Sequence, residues 1–102
     1  GVEVLMLKQK KGRVDLGQLM SELGRMGIVS VLIEGGSEVN ACALEEKLVD
    51  KLIYFLAPKI IGGNDAPSAV GGCGIEQLKG ALPIRDLTVF QLGNDLAIEG
   101  KL

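Results

Sequence analysis

Apolar residues along the chain follow two rhythms. Val2, Val4, Leu5, Met6 and Leu7 form a nearly continuous run, which predicts a strand. Leu16, Leu19, Met20, Leu23 and Met26 then recur at three- and four-residue intervals, the spacing of a helical face, and Gly27 supplies the stop. Asp15 stands where a helix N-cap belongs, with Gln18 in the capping-box position. From Ile28 to Glu34 the chain is again apolar apart from Ser30, the mark of a strand buried on both faces in a parallel sheet. Strand, helix and strand in that order predict a right-handed βαβ unit. Between the first strand and the helix, Lys8 to Arg13 reads as a solvated basic turn.

The second half continues the pattern and then changes it. Ser37 is placed to cap a helix running to about Leu48, with Val39, Ala43 and Leu44 facing inward. Lys51 to Ala57 predicts a third strand, stopped by Pro58. A glycine-rich stretch occupies Lys59 to Pro83, long enough to be either a functional or a mobile loop. Arg85 to Leu92 and Asp95 to Lys101 predict a hairpin turning at Gly93-Asn94. The fold class expected is α/β: a mainly parallel βαβαβ start with flanking helices, closed by a C-terminal antiparallel hairpin. There is no internal repeat and no linker.

Composition narrows the chemistry. A length of 102 residues, 47% of them hydrophobic, points to one small globular domain with a core. Net charge is −2 and aromatics make up 3%, so there is neither a basic stripe nor a stacking platform for nucleic acid. No apolar run reaches the roughly 20 residues needed to span a bilayer, and no signal peptide is visible, so a cytoplasmic protein without a membrane partner is expected. Histidine is absent, which excludes a Ser-His-Asp or Cys-His arrangement and a His-based metal site within the chain. The H-x-E and P-C-x-x-C elements of zinc deaminases are also missing. Cys42 reads as a helical core residue and Cys73 as a loop thiol; a disulfide is not expected. The chain starts at Gly1 without methionine and enters an apolar segment at once, as a piece of something longer would.

The most informative segment is Glu34-Gly35-Gly36-Ser37. A buried strand, a carboxylate, two glycines and a helix start follow with almost no loop. Glycines there let backbone N–H groups approach a ligand closely, beside the partial positive charge of a helix N-terminus, and that geometry suits a pyrophosphate. Glu34, at the carboxyl end of the strand, would project into the crevice where open α/β sheets bind ligands. A plainer reading remains beside this one: a tight turn, a simple helix cap, and a carboxylate at a strand end. The segment is not a P-loop, for no Gly-Lys-Ser/Thr follows, and it lacks the third glycine of the Rossmann fingerprint. Gly72-Cys73-Gly74-Ile75-Glu76-Gln77 approaches that fingerprint but ends in glutamine and follows a loop.

Val14-Asp15-Leu16, Ser30 to Gly36, Leu48-Val49-Asp50, Ala57-Pro58-Lys59, Gly62-Gly63, Ala66-Pro67 and Gly72-Cys73-Gly74, in that order and spacing, resemble the C-terminal reductase domain of the bifunctional riboflavin-biosynthesis deaminase/reductase. The resemblance covers nearly the whole chain. It implies a dihydrofolate-reductase-like fold, NADPH as cofactor, a homodimer, and reduction of the ribosyl side chain of 5-amino-6-(5-phosphoribosylamino)uracil to the ribityl form. It places Glu34 at the substrate and Gly35, Gly36, Ser37, Glu38, Val39, Asn40, Ala41 and Cys42 along the cofactor. It also implies that residues 1–102 are the C-terminal part of a reductase domain, without its first half and without a deaminase domain, and that the piece alone is inactive. Two alternatives stay open: a non-catalytic association module, and a related archaeal-type reductase acting on the diaminopyrimidinone phosphate.

Overall fold

The computed structural model describes all of residues 1–102. They divide into two compact units, Gly1–Gly35 and Gly36–Leu102. The architecture is α/β, with two helices and two small sheets.

In the first unit, β1 (Gln9–Lys10) and β2 (Arg13–Val14) pair antiparallel around Lys11-Gly12. Both turn residues have positive φ, 51° and 77°, as a type I′ hairpin turn demands. The basic turn read from the sequence is therefore the tip of a short hairpin. Helix α1 (Leu16–Arg25) follows directly. Asp15 caps it, its Oδ1 accepting from Gln18 N at 2.9 Å. The reciprocal half of the capping box does not form. Gln18 Oε1 instead accepts from Lys8 N at 2.7 Å, and Asp15 N donates to Lys8 O at 3.0 Å, so the cap ties the helix to the hairpin. At the other end Ile28 N donates to Leu23 O and Gly27 N to Gly24 O, a Schellman stop with Gly27 at φ 83°. Leu16, Leu19, Met20 and Leu23 are half-buried, as their spacing predicted, while Met26 is exposed.

The two strands expected on either side of α1 carry no ladder. Val2–Leu7 and Ile28–Glu34 are without strand pairing, and both sheets of the molecule are antiparallel throughout. The parallel start is thus a correction. Parallel strands are stable when both faces are covered, whereas here Val29 is 99% and Leu32 75% exposed.

In the second unit, α2 spans Ser37–Glu45. It ends three residues short of the expected Leu48 because Lys47 turns left-handed at φ 55°. Leu48 N then reaches Ala43 O, and Lys47 N reaches Leu44 O, both at 3.0 Å. That is another Schellman stop, with lysine where glycine is usual. Lys47→Gly is expected to stabilise the chain by about 1 kcal/mol, the cost of left-handed backbone at a non-glycine residue; a denaturation midpoint that fails to rise would refute this account of the helix end.

Strands β3 (Lys51–Leu56), β4 (Arg85–Leu92) and β5 (Asp95–Lys101) make an antiparallel sheet in the order β3-β5-β4. The β4–β5 turn is Gly93-Asn94, with positive φ at Gly93 alone, consistent with type II′. Tyr54, Ile98 and Val89 align across the three strands, as do Phe55, Ala97 and Phe90. Register slips between Arg85 and Thr88, where Asp86 and Leu87 oppose the single residue Gly100. Asp86 adopts φ 51° in this bulge and pairs with Lys101 at 3.0 Å. Lys51 and Glu99 pair at 2.5 Å between β3 and β5.

The buried apolar residues are Ala41, Ala43 and Ala97. The substantial core that composition suggested is not closed within these residues. Phe55 is 63% and Ile60 100% exposed, because the large apolar side chains lie on sheet faces and long loops with no layer over them.

Candidate functional site

The glycine pair and α2 carry the candidate chemistry. Gly35 and Gly36 both have positive φ, 72° and 80°, so both need glycine for conformational reasons. A Cβ built on Gly36 would meet nothing nearer than Val39 Cγ2 at 3.7 Å. A Cβ there would rest in ordinary van der Waals contact with Val39, whereas one on Gly35 would meet nothing within 4 Å. Gly36, at φ 80° and ψ 98°, is the N-cap of α2, and Ser37 is already the first helical residue. This corrects the expected Ser37 cap: a residue with helical dihedrals cannot turn its side chain back to close the first turn. No side chain caps the helix, and the first helical bond runs from Asn40 N to Gly36 O at 3.0 Å.

Along α2 the predicted site residues separate by what they touch. Ser37 O accepts from Gly71 N at 2.9 Å. Glu38 Oε1 accepts from Gly72 N at 3.1 Å, and Asn40 Nδ2 donates to Ala69 O at 2.9 Å. Val39 is exposed. Ala41 is buried, and a Cβ on Gly72 would come within 2.9 Å of its own Cβ. Cys42 is half-buried rather than core, its Sγ donating weakly to Glu46 Oε1 at 3.9 Å. Residues 69–72 thus lie along the first turn and a half of α2. Sequence reasoning missed this strap; the only local signal for it was the density of glycines from Gly71 to Gly74.

Glu34 is exposed and engages in no hydrogen bond or ion pair. It closes the segment Ile28–Glu34, so it does not stand at the end of a paired strand as expected. Glu34 and Gly35 belong to the first unit and Gly36 to Cys42 to the second. Cys73 is an exposed free thiol. No group of histidine, cysteine or carboxylate side chains is placed to hold a metal ion, and no helix is long and apolar enough to cross a membrane.

An N-capping glycine with helical N–H groups behind it that no side chain caps can receive the oxygens of a phosphate. The neighbouring acid is a counterweight. Glu38 lies in the same first turn, where its charge already answers the helix dipole. Its carboxylate accepts from Gly72 N–H.

Comparison with known proteins identifies the family. The family model described as the RibD C-terminal domain matches residues 2–98. The riboflavin biosynthesis protein RibD of Actinobacillus pleuropneumoniae is 39% identical over 99 residues, covering 97% of this chain and 26% of that protein. The 2,5-diamino-6-ribosylamino-4(3H)-pyrimidinone 5′-phosphate reductase of Methanothermobacter thermautotrophicus is 40% identical over 87 residues, covering 85% of this chain and 40% of its own length. A solved structure of Acinetobacter baumannii RibD superposes with a TM-score of 0.76 at 26% identity, over 88% of this chain and 27% of that one. The chain spans about a quarter of the RibD proteins it matches. With the family model covering nearly all of it, the chain belongs to the RibD C-terminal domain family.

Proposed function

We propose that the chain forms part of a riboflavin-biosynthesis reductase that uses NADPH to convert the ribosyl side chain of 5-amino-6-(5-phosphoribosylamino)uracil to the ribityl form. The observation that carries this reading is the glycine-capped start of α2, found in a chain whose relatives include a named ribosylaminopyrimidinone phosphate reductase. When bound, NADPH supplies the hydride; the protein supplies position and electrostatics. Gly35, Gly36 and Ser37 would hold the pyrophosphate through backbone N–H groups, with Val39 along the cofactor and Glu38, Asn40, Ala41 and Cys42 shaping the turn behind them. Glu34, with no partner of its own, would hold hydroxyl groups of the sugar. The reading includes the dihydrofolate-reductase-like arrangement, completed by residues outside this chain, and a homodimer.

Gly36→Val tests the cofactor half. Valine does not settle at φ 80°, and its Cβ would already touch Val39 at 3.7 Å. In a RibD-length protein carrying this chain, NADPH affinity should fall about tenfold or more, equivalent to at least about 1.4 kcal/mol. Unchanged affinity in a folded variant reduces the pair to a turn. Glu34→Gln tests the substrate half. Turnover should drop by an amount worth about 1–3 kcal/mol while NADPH affinity holds; full activity would make Glu34 structural.

The archaeal-type reaction on the diaminopyrimidinone phosphate is the second reading, supported by the 40% identity to the Methanothermobacter reductase. Offering both pyrimidines to the same preparation and comparing kcat/KM separates the two.

A further inference from the structure

We infer that Glu38 and Asn40 are positioning residues: they latch the strap Ala69–Gly72 to the first turn of α2 and thereby fix the cofactor-binding helix start. The inference rests on the function proposed above and assigns these two side chains a different task from direct contact with the cofactor.

Three hydrogen bonds join α2 to the strap, from Gly71 N to Ser37 O, from Gly72 N to Glu38 Oε1, and from Asn40 Nδ2 to Ala69 O. Two of the three depend on side chains, and they bridge separations of 34 and 29 residues. The contact is close enough to require glycine. A Cβ on Gly71 would come within 2.7 Å of Glu38 Oε1 and 3.3 Å of the Ser37 carbonyl carbon. On Gly72 it would meet Ala41 Cβ at 2.9 Å and Glu45 Oε1 at 3.0 Å, and Gly72 itself sits at φ 74°. The polar ends of Glu38 and Asn40 thus point into the protein's own backbone.

The consequence for binding is geometric. Helix α2 has no side-chain cap, so locally its first turn is closed by backbone bonding alone, from Asn40 N to Gly36 O. The strap holds that turn from a distance in sequence, by bonding residues 37, 38 and 40 in succession. A ligand gripped by backbone N–H groups is sensitive to small displacements of that turn, since misplacement by about 1 Å can cost a hundredfold in rate. Glu38 has a second effect in the latch: bonded to Gly72, its carboxylate is held beside the strap.

The test uses amide hydrogen exchange and NADPH titration on a RibD-length protein carrying this chain. Asn40→Asp keeps the shape but loses the donor. Glu38→Ala loses the acceptor, while Glu38→Gln retains one. The expected result is that Asn40→Asp and Glu38→Ala speed exchange at Gly71 and Gly72 about tenfold or more and weaken NADPH several-fold, with Glu38→Gln keeping exchange at Gly72 slower than Glu38→Ala does. Bound NADPH should slow exchange at the same amides. If the latch variants open the strap and NADPH affinity does not move, the positioning role is overturned while the cofactor site stands. A Glu38→Gln variant that behaves like Glu38→Ala overturns the hydrogen-bond basis. Failure of the unmodified protein to bind NADPH overturns the proposed function itself, whatever the strap does.

Discussion

Gly100→Val is expected to destabilise the second unit by about 3 kcal/mol or more, the upper range for forcing extra carbons into a packed site. Gly100 is buried in the middle strand, opposite the two bulged residues of β4. Its missing side chain is what makes room for them. A Cβ there would overlap Ile84 Cγ2 and stand 3.2 Å from Arg85 O and 3.5 Å from Leu87 Cδ1. Ile84 can rotate away, but the Arg85 carbonyl is backbone and cannot. The strand affected pairs with both neighbours, so distortion is felt in β3 and β4 together. Measured by denaturant unfolding, the midpoint should drop steeply for valine and less for Gly100→Ala. A loss below about 0.5 kcal/mol, the range of ordinary surface substitutions, would show that the bulge relaxes freely.

Residues 1–102 alone are expected to self-associate and to show no reductase activity. The association follows from exposed surface. Tyr54, Phe55, Val89 and Phe90 are exposed on one sheet, with Ile60 and Ile61 in the loop that leaves it. Monomers rarely leave apolar patches larger than about 300–600 Å² uncovered, and β3 and β4 both offer open edges. Inactivity follows from the proposed site: the start of α2 would hold one part of a dinucleotide, and hydride transfer needs cofactor and substrate both positioned to within about 1 Å. Sedimentation with an NADPH-oxidation assay decides it. A monomer that turns over substrate sinks both statements.

What the sequence made legible was local. The cap at Asp15, the Leu/Met face of α1, the start of α2 within one residue and the Gly93-Asn94 turn all depend on neighbours a few positions away. The antiparallel pairing of β3 with β5 was not legible. Leu56 meets Leu96 and Lys51 meets Lys101 across a long excursion of chain, and no short pattern encodes which strand a distant one will choose. The same holds for the strap, whose bonds to Glu38 and Asn40 span about thirty residues. At the candidate site, Gly35 and Gly36 were readable because positive φ selects glycine. The cap was misplaced by one position because serine is so common a cap that Ser37 outweighed the glycine before it. The error in Val2–Leu7 and Ile28–Glu34 has one cause: an apolar run announces a strand that wants burial, and burial requires partners that these residues do not supply.

The order β3-β5-β4 also sets a sequence of events in time. β4 and β5 are joined by two residues, and a hairpin of that kind closes in about 1–10 μs. β3 pairs with β5 alone, so it must wait until β5 exists and must then close the loop that runs from Ala57 to Ile84, ahead of the formed hairpin. Loop-closure entropy makes that the slow step. A ribosome delivers β3 well before its only partner, and during that interval Ile53, Tyr54 and Phe55 are an unpaired apolar strand. The sheet is nucleated from its C-terminal hairpin and completed backwards along the chain.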